Sequence, residues 1–135
     1  MTTVLASFLT CALAAAVPTP APTRSETPTP TSFDRLYAAG EELERLPEAK
    51  DYLPKAYSVV GPALSAAMQA CSGPDNVGFV FRVVIRVSGL GKVSELRFEP
   101  QSALTACVAK HLVINTIPQP PRSEWLLAIR MSVKK

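Results

Sequence analysis

Two cysteines and a histidine are the residues of this chain whose types could do chemistry together. Cys107 and His111 are four positions apart, so on a helix their side chains would meet. A cysteine-dependent hydrolase also needs an orienting group, an oxyanion site and a cleft, and the sequence shows none of them. Adding Cys71 gives three metal ligands without a fourth and without CxxC spacing. We therefore predict no catalytic residue, no metal and no cofactor, and keep a small Cys-dependent hydrolase as the enzymatic alternative.

A cluster of glutamates and a Gly-rich run could also suggest functional sites, but both are typical of structural positions. Glu41, Glu42 and Glu44 are neighbours on one helix surface, and no His, Asp or Cys stands beside them at ligand spacing. The run Gly89–Lys92 lacks the GxxxxGK[ST] spacing of a phosphate-binding loop and indicates a hairpin turn. A net charge of +3, without interleaved aromatic and basic residues, argues against nucleic acid as a partner. No small-molecule substrate is evident.

A hairpin predicted at Val77–Phe98 is the element around which the others must be arranged. Its first half alternates apolar residues on one face, namely Val77, Phe79, Phe81, Val83, Ile85 and Val87. Gly89 and Gly91 can take positive φ and favour a tight turn. Because a lone hairpin is only marginally stable in water, other elements must cover its apolar face.

Three stretches repeat apolar residues at helical spacing. They are Thr31–Leu46, Glu48–Cys71 and Ser102–Asn115. Ser102 can cap the third stretch, and Ser32 or Thr31 can cap the first. Pro54 and Pro62 are expected to divide the second stretch, because proline removes a helical hydrogen bond.

The last strand is predicted at Glu124–Lys134, where apolar and polar residues alternate and Trp125 falls on the apolar face. The order from Val59 is then α-β-β-α-β. This order predicts an α+β domain of two layers, with an antiparallel three-stranded sheet and helices on one face. We assign this domain to residues 59–135, with an extra N-terminal helix in the helical segment 32–58.

The N-terminal residues are expected to direct export. Residues 1–16 are uncharged and mostly apolar, which is too short for a span of about 20 residues but is typical of a signal peptide ending in small residues. Residues 17–31 form a Pro-rich linker that favours extended chain. We expect a periplasmic or secreted protein, and the alternative is a short inner-membrane anchor.

Several features between residues 60 and 135 occur together. A helix ends in Cys71, a Val/Ile-rich strand follows, and a Gly-rich turn precedes Lys92-Val93. Cys107 lies in the second helix, and Ile117–Pro121 stands where a Phe-Pro-x-Pro stretch is common. In this pattern the chain resembles the C-terminal domain of TonB-like proteins, closest to the periplasmic forms with two cysteines. The linker of about 14 residues reaches only about 43 Å, so the resemblance does not extend to energy transduction across a periplasm.

The resemblance implies a disulfide between Cys71 and Cys107, where the residues alone also allow two buried, inert thiols. It implies a non-catalytic domain that binds an extended segment of a cell-envelope protein by strand addition. An outer-membrane protein is one such partner, and a homodimer is left open. A secreted inhibitor or effector with the same kind of edge is the alternative. The expected edge is the last strand, with its partner-binding positions at Glu124, Leu126, Ala128, Arg130, Ser132 and Lys134.

Overall fold

The computed structural model describes residues 32–135, so the predicted signal peptide, the anchor alternative and the Pro-rich linker lie outside the described residues. The elements are α1 (Phe33–Glu44), α2 (Ala49–Cys71), a 3-10 turn (Pro74–Asn76), β1 (Val80–Ser88), β2 (Val93–Glu99), α3 (Ala103–His111) and β3 (Glu124–Ser132). The strands form one antiparallel sheet in the order β2-β1-β3. The predicted α+β fold class is therefore confirmed. None of the helices within 32–135 combines the length and apolar character that a membrane crossing needs.

The predicted hairpin is present, with β1 beginning at Val80 rather than Val77. Gly78 takes a φ of +86°, which ends the extended run on that side. Four residues of the predicted apolar face are buried, namely Phe81, Val83, Ile85 and Val87. Ile85 lies opposite Leu96 and Val83 lies opposite Phe98, so both strands present apolar side chains to the same layer.

Helix α2 is continuous, so the prediction that Pro54 and Pro62 divide it was wrong. Both prolines lie inside the 23-residue helix, and both are exposed. Proline leaves the carbonyl four residues earlier without its helical donor. On the solvent side water can take that donor's place, because the carbonyls can tilt outward. The buried side of the helix keeps its packing.

Helix α3 begins where the sequence predicts and ends earlier. The Ser102 hydroxyl accepts the Thr105 amide at 3.1 Å, and the Thr105 hydroxyl accepts the Ser102 amide at 2.9 Å. This reciprocal capping box satisfies two amides at the helix start. The helix stops at His111 because Leu112 takes an extended conformation, with φ −73° and ψ 112°. The chain then runs extended towards β3.

Helices α2 and α3 cover the apolar face of the sheet. Trp125 is fully buried and meets the ring of Tyr52 edge-on, with 5.2 Å between the ring centroids. The Tyr52 hydroxyl and the Trp125 Nε1 are buried, and neither has a hydrogen-bond partner among residues 32–135. Burial raises the pKa of Tyr52 to about 12. This contact holds the start of α2 against β3.

Helix α1 packs on the opposite face of the sheet, a position that the sequence left unassigned. Phe33 and Leu36 form a separate buried cluster with Val84 and Leu126. The guanidinium of Arg82 lies 5.0 Å from the ring centroids of Phe33 and of Tyr37. Cations are attracted to aromatic faces in this geometry. The two predicted layers are present for α2, α3 and the sheet, and the extra N-terminal helix adds a third layer on the second face.

Replacing Gly91 by alanine should destabilise the hairpin turn. Gly91 has a φ of +79°, and a Cβ there would lie 2.0 Å from the Ile117 carbonyl oxygen. We expect a loss of at least about 2 kcal/mol in the free energy of unfolding, measured by urea titration. Gly73→Ala is the control, because a Cβ there meets nothing within 4 Å, and it should change stability by less than about 0.5 kcal/mol. Equal midpoints for the two variants would contradict this account.

Candidate partner-binding edge

Strand β3 is an edge of the sheet, and alternate residues of its backbone face outward. The Val133 amide donates to the Phe79 carbonyl at 2.9 Å, in register with the β1–β3 ladder. In an antiparallel ladder every second residue faces the neighbouring strand. The amides and carbonyls that face away from β1 therefore belong to the predicted edge positions, which include Leu126, Ala128, Arg130 and Ser132.

The six predicted edge positions divide into two groups by exposure. Glu124, Arg130, Ser132 and Lys134 are exposed. Leu126 and Ala128 are only 6% and 9% exposed, because α1 lies over them. A Cβ built on Gly40 of α1 would be 2.8 Å from the Ala128 Cβ and 3.3 Å from the Ala128 amide nitrogen. The middle of the strand is therefore in close contact with the chain's own N-terminal helix.

The end of α1 passes around this edge from one face of the sheet to the other. Leu43 packs against both hydrophobic clusters, which lie on opposite faces. The Tyr57 hydroxyl of α2 donates to Glu44 at 3.0 Å, and burial together with this carboxylate raises the pKa of Tyr57. Arg122 binds Glu48 at 2.7 Å. Leu126 and Ala128, the middle positions of the β3 edge, are thus covered by α1, while Glu124 at the start of the strand is exposed.

The second half of the β3 edge, Arg130–Lys134, stays accessible between two hollows. The first hollow has a volume of about 450 Å³, and its lining includes Tyr37, Arg82 and Arg130. The second has a volume of about 520 Å³, and its lining includes Val133, Lys134 and Lys135. We name this segment the open edge of β3. Its exposed side chains are predominantly basic, which favours acidic ligands.

Cys71 and Cys107 form a disulfide, the pairing that the resemblance implied. The sulfur atoms are 2.10 Å apart and the Cα atoms 5.7 Å apart. The bond joins the end of α2 to α3. Nδ1 of His111 lies 3.5 Å from the Cys71 sulfur, 3.6 Å from the Cys107 sulfur and 3.0 Å from the Cys107 carbonyl oxygen. With both sulfurs in one bond, this cluster offers neither a thiolate nucleophile nor a pair of thiolate ligands.

Comparison with protein-family models, curated proteins and solved structures finds no match. The resemblance to TonB-like domains therefore stays a prediction. The structure places five of the six predicted edge positions on β3 and brings α1 over two of them, while Lys134 lies two residues beyond the end of the strand. The sequence reasoning missed this cover. One sequence feature could have indicated it, namely Gly40 in the same helix as Leu43. A glycine inside a helix permits the close approach of another backbone.

Removing the disulfide should lower stability without unfolding the sheet. The bond closes a separation of 36 residues, for which the chain-entropy model gives about 4 kcal/mol. We expect the variant Cys71→Ser/Cys107→Ser to lose up to that amount in urea unfolding. As a control, a dithiol reductant should shift the midpoint of the wild type and leave the double variant unchanged. A double variant as stable as the wild type would contradict the prediction.

Gly40→Ala should separate α1 from β3. Alanine favours helix, so in an open position the change would stabilise by about 0.5–1 kcal/mol. Here the added methyl group would meet Ala128 at 2.8 Å, and we expect a net loss of about 1–3 kcal/mol. Gly61→Ala in α2 is the matched control, since nothing lies within 4 Å of a Cβ there. Thermal unfolding of both variants measures the difference, and stabilisation by both would show that α1 does not pack closely.

Proposed function

We propose that this chain is an exported, non-catalytic protein-binding domain of TonB-like type, and that it binds an envelope partner by strand addition at the open edge of β3. The observation that carries the proposal is that α1 covers one part of the β3 edge and leaves another part exposed. Helix α1 covers Leu126 and Ala128, while Arg130 and Ser132 are exposed with outward-facing backbone. Unpaired strand edges are templates for another strand, and proteins usually block them.

The length of the open edge limits the partner to a short segment. Arg130, Ser132 and Lys134 are the outward-facing positions of this edge, which covers five residues and about 17 Å at strand rise. Main-chain hydrogen bonds supply affinity in such a complex, and alternate side chains supply specificity. The hollows that flank the edge can take these side chains. A partner strand that continued past Ala128 would have to displace α1.

The charges of the open edge favour a partner segment with acidic residues. Arg130, Lys134 and Lys135 are all exposed there, and opposite charges across paired strands stabilise the pairing. Glu41 and Glu99 line the neighbouring hollow. They would oppose an acidic group placed on that side, so the acidic residues of the partner belong near Lys134 and Lys135.

Two observations support the exported, non-catalytic part of the proposal. The apolar start of the sequence is typical of a signal peptide, and disulfides persist in oxidising compartments. The cysteines that a hydrolase would need are bonded to each other. A secreted inhibitor or effector would use the same edge, so retention in the periplasm or release into the medium distinguishes these two roles.

The test removes one outward-facing amide and keeps the ladder to β1. Proline at an edge position whose amide faces solvent is compatible with a strand. We expect Ser132→Pro to weaken binding about tenfold. Ser132→Ala, which keeps the amide and loses the same hydroxyl, should bind like the wild type. The full chain first captures its partner from envelope extract, and calorimetry with the captured partner then compares the variants.

Two results would contradict strand addition at this edge. One is equal binding by Ser132→Pro and the wild type, with both proteins folded by circular dichroism. The other is equal loss by Ser132→Pro and Ser132→Ala, which would assign the effect to the hydroxyl.

A further inference from the structure

Strand β2 is the second edge of the sheet, and within residues 32–135 no strand pairs with its side that faces away from β1. Its register with β1 places Glu99, Arg97 and Glu95 opposite Arg82, Val84 and Arg86. The Val133 amide donates to Phe79 in register with the β1–β3 pairing, so the odd-numbered residues of β1 face β3 and its even-numbered residues face β2. The β1–β2 register shifts between Arg86 and Val87, beyond these three pairs. Leu96 and Phe98 therefore direct their amides and carbonyls outward. Within residues 32–135, the backbone hydrogen bonds outside helices and strands involve neither of them.

The side chains of β2 alternate in sign around Leu96. Glu95 precedes it and Arg97 follows it, and both side chains are about one third exposed, at 35% and 33%. Within its own chain Glu95 accepts from Arg86 at 2.8 Å and lies 3.7 Å from Arg97. They lie on the face of the sheet opposite to the side chains of Leu96 and Phe98. A strand with this pattern complements its own copy when the two run antiparallel, because each acid then lies across from a base.

The geometry points to a dimer in which two copies of this chain pair β2 with β2, antiparallel, about a two-fold axis at Leu96. The two three-stranded sheets then join into one continuous sheet. Leu96 lies opposite its own copy as a hydrogen-bonded pair. Glu95 lies opposite Arg97 of the second copy, and Arg97 opposite Glu95. The two-fold axis produces the Glu95–Arg97 contact twice, while the Leu96 pair lies on the axis and occurs once.

The charges select this register over its neighbours. Outward-facing residues must meet outward-facing residues, so alternative registers differ by an even number of positions. A shift of four would place Arg97 opposite Glu99, but it also places Leu96 opposite Pro100, which has no amide to donate. The nearest alternatives are shifts of two positions. One shift places Arg97 opposite Arg97 and Glu95 opposite Glu99. The other places Glu95 opposite Glu95. Like charges directly opposite each other destabilise a strand pair. Of these three registers, only the one centred on Leu96 has opposite charges across the axis.

The other face of the interface is apolar. A small hollow of about 160 Å³ beside β2 is lined by Val93, Leu96, Leu112 and Ile114. Val113, in the same segment after α3, is 71% exposed. Pairing of the two strands brings Leu96 against its copy and removes this apolar border from water, which favours association. This interface is separate from the open edge of β3 and does not depend on the proposed function.

Charge reversal in two separate chains tests the register. In Glu95→Arg the axis has two Arg–Arg pairs, and in Arg97→Glu it has two Glu–Glu pairs. Each variant alone should dimerise at least about tenfold more weakly than the wild type. An equimolar mixture should regain the dimer as a heterodimer, since every base then meets an acid. Cys11, the third cysteine of the sequence, lies in the predicted signal peptide. The full chain therefore carries Cys11→Ser throughout, so that this thiol cannot join two copies. Sedimentation measures the dissociation constants, and native mass spectrometry identifies the heterodimer.

Three results would overturn the proposal. They are a wild type that stays monomeric over its soluble range, single variants that dimerise like the wild type, and a mixture that stays monomeric although the wild type dimerises. Arg130→Glu is the matched control on the other edge and should leave dimerisation unchanged. A loss of dimerisation in this control would assign the contact to β3.

Hydrogen exchange on the wild type gives a second measurement that does not depend on whether a variant folds. The amides of Leu96 and Phe98 should become at least tenfold more protected as protein concentration rises through the dissociation constant. The amide of Arg130 should not change. Protection of the Arg130 amide instead of the Leu96 amide would overturn the assignment of the dimer interface to β2. That result would leave the proposal of an envelope partner untouched.

Discussion

Burial of the central strand on both faces is the constraint on which this structure depends. β1 pairs with a strand on each side and presents Phe81, Val83, Ile85 and Val87 to one layer and Val84 to the other. A three-stranded sheet of this size cannot cover either face by itself. Helices α2 and α3 cover the first face and are held together by the disulfide. Helix α1 covers part of the second face, so the chain must pass around one edge of the sheet to connect the two layers.

That passage determines which parts of the sheet edges remain for binding. Leu43 contacts the cores on both faces, and Gly40 allows α1 to approach the β3 backbone. The middle of the β3 edge, at Leu126 and Ala128, is covered at this crossing, and the part near the C-terminus is open. β2 lies on the far side of the sheet from the crossing. Its edge carries alternating charges, which disfavour the two registers next to the one centred on Leu96.

The sequence predicted the elements whose signals are local. Period-two alternation located β1, the glycines located the turn, and Ser102 and Ser32 marked two helix starts that the structure confirms. The burial of Val84 could not be predicted, because it lies between Arg82 and Arg86 and its face of the strand reads as polar. Val84 can be buried beside Arg82 because the Arg82 guanidinium packs against the rings of Phe33 and Tyr37 and binds Asp34 at 2.9 Å. That arrangement requires α1, which is distant in sequence.

At the candidate site too, features set by neighbouring residues could be predicted, and features set by a helix distant in sequence could not. Alternation along the last strand correctly identified Trp125 as core and Arg130 as an exposed edge residue. It could not separate Ala128 from Arg130, because both occupy the same face and both direct their backbone outward. The difference arises from α1, whose amphipathic pattern indicates which of its residues are buried and not what they are buried against. For this reason a sequence can indicate an edge strand, while the usable length of that edge depends on the element that crosses it.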